Sequence, residues 1–455
     1  MEFLEKYFST TQIIIMSFLV AILFGACLLC LPVMAADGQA TTFMNALFTA
    51  VSSVCVVGMQ VLNVSTHWSI AGQIVILVMI QIGGLGVITI TTTVMVLLGQ
   101  KISLRNRILL GDAFNLETLN GLVQFLKKVF KGTVMVEGIG ALCCLPVFVP
   151  QYGLAKGIWI SVFHAISSFC NAGIDIIGSD GLMPYVHNVW LNVITMTLVI
   201  LGGIGFVVWW DVIDMLRKRL DPEVRKWAGF HSLSLQSKMA ITMSAALIGF
   251  GMLLFFLFEY NNEATIGHFT LGQKLLAALF QSVTTRSGGF ATIPQTGLTV
   301  PSVIVTILLV FIGGSPVGTA GGMKTTTVAV IFLAVLATVR GQEDVTCFQR
   351  RISGKTVRKA TAIVLISFTV CLASIIGMLV LEDGNALDTV FEIFNALGTA
   401  GLSRDFTQTV GLAGKLLLCF CMFLGRIGPI TMVIAFTMKD TQTPVRFPED
   451  SITVG

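Results

Sequence analysis

Residues 167–175 read SSFCNAGID, and they follow the apolar run 162–166. The same arrangement recurs as FMNALFTAVSSVCVVGM at 43–59, LFQSVTTRSGGFAT at 279–292 and FEIFNALGTAGLS at 391–403. Each copy is a short amphipathic segment that ends in small or hydroxylated residues, followed by a glycine and an apolar residue. These glycines are separated by 115, 116 and 112 residues, which predicts four copies of one structural unit. They are Gly58, Gly173, Gly289 and Gly401.

The composition is that of an integral membrane protein. Of the 455 residues, 55% are hydrophobic and 11% are charged, and the mean hydropathy is +0.88. Soluble domains carry about 25% charged residues, so this chain has too few to cover a water-facing surface. Most of the ten cysteines lie inside apolar runs and the five histidines are scattered, which predicts neither a disulfide framework nor a metal site. The net charge of +4 follows membrane topology, so no nucleic-acid partner is predicted.

Apolar runs long enough to span a bilayer, roughly 20 residues each, occur on both sides of every glycine element. The segment 43–54 would rise about 18 Å as a helix, too little to cross, so it predicts a re-entrant half-helix. The fold predicted is an all-α membrane protein of four tandem helix–pore-loop–helix repeats around one central pore, with eight spanning helices and four half-helices. The predicted spans are about 12–34, 70–98, 132–150, 188–213, 238–258, 300–338, 360–381 and 411–437. The predicted repeats are 1–100, 101–219, 220–341 and 342–440, followed by a cytoplasmic tail, 441–455.

Charges predict the orientation of the repeats. The segments between units, within 101–131, 217–238 and 340–359, each carry six Lys or Arg, whereas the loops inside units carry mainly acids. The positive-inside rule therefore places the connectors and both termini in the cytoplasm and turns the glycine loops outward.

The repeated element predicts a binding site for a cation. Half-helices that point their carboxyl ends inward bring partial negative charge to the centre, and the loops that follow can present rings of backbone carbonyls to an ion. The loops contain no side-chain acids, which favours a monovalent cation. The predicted filter residues are Cys55, Val56, Val57, Gly58, Cys170, Asn171, Ala172, Gly173, Arg286, Ser287, Gly288, Gly289, Gly398, Thr399, Ala400 and Gly401.

With this layout, the motifs CNAG at 170–173, TRSGGF at 285–290, GGMKT at 321–325 and LGRIGP at 424–429 resemble the Trk/Ktr/HKT superfamily of potassium transporters. The resemblance is to the membrane subunits of bacterial Ktr systems and covers essentially the whole chain. It implies one filter glycine per repeat and K⁺ as the transported ion, passively or with Na⁺. The first loop, CVVG, lacks the usual hydroxylated residues, and the fourth has Thr-Ala-Gly where Thr-Val-Gly is commoner.

The same resemblance implies an assembly in the bacterial inner (cell) membrane. It implies a homodimer with one pore per subunit and a cytoplasmic ring of nucleotide-binding subunits, of the KtrA type, that gates it. Membrane lipid surrounds the chain, the nucleotide belongs to the ring partner, and no cofactor is expected in this chain.

Residues 311–327, FIGGSPVGTAGGMKTTT, predict a break in the third inner helix near mid-membrane. One interpretation is a mobile loop that blocks the pore until a partner displaces it, which the resemblance favours; the other is a tightly packed kink. Gly-Gly-x-Gly sequences at 83–86 and 202–205 predict close packing or hinges instead. The predicted gate residues are Gly313, Gly314, Ser315, Pro316, Gly318, Gly321, Gly322, Lys324 and Arg426.

Charges at membrane depth are costly and are therefore functional candidates. Arg426 is predicted to hold the gating loop or set a barrier below the filter, the alternative being a structural pair with a backbone carbonyl. Lys324 is expected to extend toward the inner surface. The side chain of Arg286 is expected to brace the third loop, through Glu392 or another acid, while Glu137 needs a partner that the sequence does not identify.

Two other classes of protein are less compatible with the pattern. A secondary transporter with a central solute site would show inverted halves and two broken helices, whereas this sequence predicts four parallel repeats and one broken helix. An intramembrane enzyme would need paired aspartates, a serine–histidine pair or HExxH at membrane depth, and none is visible. The sequence therefore predicts the ion-translocating subunit of a potassium uptake system.

Overall fold

Helices make up nearly all the regular structure of the residues that the structure describes, because a backbone in hydrocarbon must satisfy its polar groups internally. The computed structural model describes residues 10–86, 89, 122–220 and 229–436. The first half contains α1 (Thr10–Leu29), α2 (Phe43–Val54), α3 (Val64–His67), α4 (Ile70–Leu85), α5 (Leu122–Tyr152), α6 (Leu154–Cys170), α7 (Val189–Gly203) and α8 (Phe206–Leu220).

The second half repeats this order of long and short helices. A two-stranded antiparallel hairpin, β1 (Thr346–Cys347) and β2 (Arg350–Arg351), lies between two of its helices. The helices are α9 (Leu235–Glu259), α10 (Leu271–Thr284), α11 (Val300–Ile312), α12 (Thr325–Val339), α13 (Gly354–Leu381), α14 (Ala386–Leu397), α15 (Phe406–Thr409), α16 (Leu412–Ile427) and α17 (Pro429–Phe436). Short 3₁₀ turns occur at Pro32–Met34, Met183–Tyr185, Phe230–Ser232 and Gln295–Gly297.

The described residues include four helices long and apolar enough to cross a membrane, α1, α5, α9 and α13, or five if α7 and α8 count as one span bent by 102°. The prediction of one broken inner helix was wrong. The run 300–338 is interrupted between α11 and α12 as expected, but α7 and α8 also separate, and α16 ends before α17. The run 70–98 continues beyond Leu85 into residues that are mostly outside the described ones.

A glycine with positive φ ends each of the four helices α4, α7, α11 and α16, which we call the second helices. Gly86 (φ 86°), Gly205 (φ 100°), Gly313 (φ 63°) and Gly428 (φ 93°) follow α4, α7, α11 and α16 at or near their last residues. Glycine adopts such angles without a Cβ penalty, and a residue of this kind terminates a helix. Each break therefore has a local cause in the sequence, and the break at Gly205 falls within the Gly-Gly-x-Gly sequence that predicted close packing or a hinge.

The short helices form the interior, and the long ones face outward with apolar side chains. Phe48, Phe163, Phe280 and Phe391, one from each of α2, α6, α10 and α14, are at most 2% exposed. Large apolar side chains of the long helices are exposed instead, as expected where lipid is the solvent.

Glycines in the second helices let them approach the ends of the short helices. A Cβ added to Gly83 would collide with the carbonyl oxygen of Val54, and one on Gly202 would collide with that of Phe169. These contacts confirm the predicted close packing at 83–86 and 202–205. Gly425 has the same relation to the carbonyl of Leu397, a contact that had not been predicted.

We expect Gly202→Ala to destabilise the protein by about 1–3 kcal/mol, since the added methyl group overpacks a backbone contact. It would also lie 2.7 Å from Thr319 Oγ1. The matched control is Gly249→Ala in α9, where no atom lies within 4 Å of the new methyl group and alanine favours the helix. Thermal unfolding in detergent tests the pair, and equal midpoints for the two variants would contradict the packing argument.

Candidate functional site

The four glycines of the repeat lie next to one another although they are far apart in sequence. A Cβ built on Gly58 would be 3.3 Å from Gly173 Cα, and one on Gly289 would be 2.7 Å from the same atom. The Cβ built on Gly289 would also be 2.9 Å from the carbonyl oxygen of Ala400. A Cβ built on Gly401 would be 2.9 Å from Gly58 Cα. The contacts run from Gly58 to Gly173, to Gly289, to Ala400 beside Gly401, and from Gly401 back to Gly58, so the four glycine loops close a ring.

The loops share one backbone conformation. In each, the residue two positions before the glycine also has positive φ, which is uncommon for non-glycine residues. Alternation of positive and negative φ lets successive carbonyl oxygens point to the same side of the chain, where rings of such oxygens can replace the water shell of an ion. The pairs are Val56 (φ 54°) and Gly58 (99°), Asn171 (60°) and Gly173 (63°), Ser287 (71°) and Gly289 (79°), and Thr399 (48°) and Gly401 (73°).

Hydroxyl groups at the carboxyl ends of three short helices hydrogen-bond to the backbone of the ring glycine or of the residue that follows it. Ser52 Oγ accepts a hydrogen bond from the Gly58 N–H (3.1 Å), and Thr284 Oγ1 donates to the Phe290 carbonyl (2.6 Å). Ser167 Oγ both accepts from the Ile174 N–H (3.1 Å) and donates to its carbonyl (2.5 Å). The sequence contained the signal for these bonds, since each short helix was seen to end in small or hydroxylated residues.

A direct hydrogen bond joins the third and fourth loops. Ser287 Oγ donates to the Thr399 carbonyl at 2.6 Å, and the same hydroxyl accepts from the Gly321 N–H at 3.3 Å. The Thr399 carbonyl, one of the predicted filter groups, is therefore engaged by protein. Ser287 links both loops to the broken segment of the third inner helix.

Arg286 is buried, but the prediction that it pairs with Glu392 or another acid was wrong. Its guanidinium donates to the carbonyl (3.3 Å) and hydroxyl (3.0 Å) of Ser244 in α9. Glu392 instead accepts from Ser403 Oγ (2.5 Å), Thr407 Oγ1 (2.8 Å) and the backbone after the fourth loop. Arg286 thus connects the third loop to an outer helix through Ser244. This partner is uncharged and lies 42 residues away in sequence, so the charge pattern of the sequence does not reveal it.

The segment 313–324, which we call the broken-helix loop, packs against the bend between α7 and α8. Ser315 N–H donates to the Gly203 carbonyl (2.8 Å), and Thr319 N–H donates to that of Gly202 (3.1 Å). Helix ends leave carbonyls without helical partners, so the bend at Gly205 supplies acceptors for this loop. Two interrupted helices therefore complete each other's hydrogen bonding.

The broken-helix loop also touches residues that precede the ring glycines. Thr319 Oγ1 donates to the Phe169 carbonyl at 3.0 Å, and a Cβ on Gly321 would collide with the Thr399 side chain. A Cβ on Gly322 would lie 3.2 Å from the carbonyl oxygen of Gly398. The loop lies directly against the carboxyl ends of α6 and α14, and its role as a gate stays a prediction.

Arg426 bridges this loop to the first unit. Its guanidinium donates to the carbonyls of Thr319 and Gly83, and to that of Gly84 at 3.1 Å. These glycine carbonyls lie at the end of α4, where a cation is favoured by the helix dipole. Lys324 does not extend to a surface as expected, because its Nζ donates to the Ala320 carbonyl at 2.6 Å within the same loop.

On the other side of the ring, beside the residues that follow the glycines, lies a cavity of about 180 Å³. Gly289, Gly401, Gln295, Ser403 and Asp405 contribute to its walls. Among the described residues, no group of three or more His, Cys, Asp or Glu could hold a metal ion. The chemistry available at the ring is that of backbone carbonyls and hydroxyl groups.

The apolar helices and the buried ring of glycine loops define a multi-pass helical membrane protein of the cation-transport class. The family model for TrkH, cation transport protein, matches residues 5–444, so the chain belongs to the TrkH family.

Its relatives include the potassium/sodium uptake protein NtpJ of Enterococcus hirae, 36% identical over 99% of this chain and 98% of the relative. Ktr system potassium uptake protein B of Bacillus subtilis is 36% identical, over 98% and 97% of the two chains. The corresponding protein of Vibrio alginolyticus is 33% identical, over 98% and 94%. The crystal structure of the potassium transporter TrkH from Vibrio parahaemolyticus shares the fold, with a TM-score of 0.73 at 16% identity over 95% of this chain and 86% of that one.

Proposed function

We propose that this chain is the potassium-translocating membrane subunit of a bacterial potassium uptake system. Four tandem repeats, 1–100, 101–219, 220–341 and 342–440, surround one pore, and the four glycine loops form its filter. The observation that carries the proposal is the closed ring of Gly58, Gly173, Gly289 and Gly401, each preceded by a second residue of positive φ. The names of relatives that match over nearly the whole chain support potassium as the ion.

Selection rests on the backbone. Carbonyl oxygens of the loops replace part of the water shell of the ion, and the carboxyl ends of α2, α6, α10 and α14 contribute partial negative charge toward it. No covalent step is involved, so the subunit is not an enzyme. The broken-helix loop, beneath the ring and held by Arg426, is the gate.

The system has further components. The connectors and both termini face the cytoplasm, where a nucleotide-binding ring of the KtrA type shifts the broken-helix loop, and two copies of this chain form a homodimer in the cell membrane. The basic residues of the connectors support this orientation, and the names of the Ktr-system relatives support a multi-component assembly. Coupling to Na⁺ is included because one close relative is named a potassium/sodium uptake protein.

The proposal predicts that wild-type protein, expressed with a cytoplasmic ring partner, restores growth of a potassium-auxotrophic bacterium on low potassium. Uptake of K⁺ into these cells, measured with and without external Na⁺, then shows whether the flux depends on sodium. The empty vector and the ring partner expressed by itself are the controls. Absence of K⁺ uptake in cells and also in proteoliposomes containing folded protein would refute the function.

A further inference from the structure

Glu137 is a carboxyl-bearing residue in the middle of α5, and it is 7% exposed. The next two residues of the helix, Gly138 and Ile139, are exposed, whereas Glu137 is buried, so its carboxyl group points into the protein. Gln81 Nε2 of α4 donates to Glu137 Oε2 at 3.2 Å. An ionisable group at membrane depth is costly, and this one lies within hydrogen-bonding reach of another unit.

Cys170 completes the cluster. It is the last residue of α6 and the first of the second filter loop, and it is fully buried. Its Sγ lies 3.5 Å from Gln81 Oε1 and 3.8 Å from Glu137 Oε1. A Cβ on Gly84 would approach this sulfur to 2.5 Å, so the glycine makes room for the thiol. The side chain that begins the loop therefore lies between an outer helix and an inner helix.

The third loop has a tether at the same position. Cys170 and Arg286 both stand three residues before the ring glycine of their loops, and each reaches the first helix of its own unit. Arg286 does so through Ser244 of α9, and Cys170 through Glu137 of α5. Two different chemistries at one position of the repeat indicate that anchoring the start of the loop has a purpose beyond filling space.

The cluster is also connected to Arg426. That guanidinium holds the carbonyls of Gly83 and Gly84, at the end of the helix that carries Gln81. The last turn of α4 is thus held by a guanidinium on one side and by the Glu137 carboxyl group on the other. A shift of either would move the start of the second loop.

We propose that Glu137 and Gln81 are positioning residues that fix the second filter loop through Cys170 and thereby set the preference for K⁺ over Na⁺. This inference rests on the proposed function, because it assigns a role in ion selection. The Glu137 carboxyl group does not touch the ion. It sets the place of the carbonyl groups of residues 170–173, on which the radius of the ring depends.

The test measures apparent K⁺ affinity and competition by Na⁺ in the uptake assay. Glu137→Leu and Cys170→Ala each lower the ratio of apparent K⁺ affinity to apparent Na⁺ affinity about three- to tenfold, as expected for loss of a buried hydrogen bond. The double variant shifts it no further than the larger single change, because both act through one contact. Glu137→Gln and Cys170→Ser, which retain polar groups there, stay near the wild-type ratio. Cys144→Ala, a buried cysteine of α5 away from the loop, is the matched control.

Wild-type ratios in both Glu137→Leu and Cys170→Ala, with folded protein, overturn this inference while K⁺ uptake by them supports the proposed function. Additive shifts in the double variant likewise overturn it. If Glu137→Leu does not fold, the comparison of Cys170→Ala with Cys170→Ser decides, and equal K⁺ to Na⁺ affinity ratios in these two variants refute the positioning role. A wild type that carries no K⁺ refutes the proposed function itself, a separate result.

Discussion

We expect replacement of Gly289 with serine to lower the apparent potassium affinity at least about tenfold and to weaken discrimination against sodium. The residue has a φ of 79°, and its new side chain would start 2.7 Å from Gly173 Cα and 2.9 Å from the Ala400 carbonyl oxygen. Left-handed backbone costs a non-glycine residue roughly 1–2 kcal/mol, and 1.4 kcal/mol corresponds to about tenfold in affinity. The loop can relieve the strain and crowding only by moving, which displaces the carbonyl groups on either side.

The matched control is Gly38→Ser, in the connection between α1 and α2. Gly38 has a similar φ of 70°, but no atom lies within 4 Å of the added Cβ. It therefore carries the same backbone strain without crowding the ring, and its ion affinity should equal that of wild type. Uptake at graded K⁺ concentrations measures both variants. An unchanged affinity in folded Gly289→Ser protein would show that the ring does not select potassium.

We expect deletion of residues 314–322 to raise potassium flux at least about tenfold without the ring partner, because the proposed function makes this segment the barrier beneath the filter; tenfold corresponds to about 1.4 kcal/mol. The ends of this segment are already adjacent: a Cβ on Gly313 would be 3.2 Å from Gly322 Cα, and Met323 N–H donates to the Phe311 carbonyl at 3.3 Å. The chain can be joined across the gap with little movement of α11 and α12. Flux into proteoliposomes is the measurement, with the unfolding midpoint as a check on folding.

A point variant tests the same proposed barrier by removing one hydrogen bond of the broken-helix loop in place of the whole segment. Thr319→Val removes the hydrogen bond to the Phe169 carbonyl and should raise partner-independent flux less than the deletion does. Thr338→Val is the control, because the Thr338 hydroxyl bonds to the Ala334 carbonyl within its own helix. If the deletion leaves flux at the wild-type level in folded protein, the loop is a packed kink, the alternative that the sequence left open.

The sequence predicted the features that repeat and missed those that depend on single distant contacts. Gly58, Gly173, Gly289 and Gly401 were found because four similar segments recur at nearly equal intervals, and the structure brings them together. The breaks at Gly205 and Gly428 were less visible, since a few glycines in an apolar run are compatible with a closely packed, unbroken helix. The cluster of glycines and proline in 311–327 was a stronger signal for a helix break, and that break was predicted correctly.

Side-chain partners at membrane depth could not be read from the sequence. An acid was the natural expectation for Arg286, but Ser244 supplies a carbonyl and a hydroxyl at the right place in α9. Likewise, nothing near Glu137 in sequence points to Gln81, 56 residues earlier. Such pairing depends on which faces of neighbouring helices pack together. Apolar runs of similar composition do not reveal which faces these are.

The four loops of the ring belong to one polypeptide, so a substitution alters one quarter of the ring. In a ring assembled from identical subunits, by contrast, every substitution would appear four times. The loops of this chain have diverged accordingly, with Cys55, Cys170, Arg286 and Gly398 at corresponding positions. A substitution in one loop should therefore impair ion selection only in part, and substitutions in further loops should add to the effect. Each loop can also acquire its own contacts with the surrounding helices without any change in the other three.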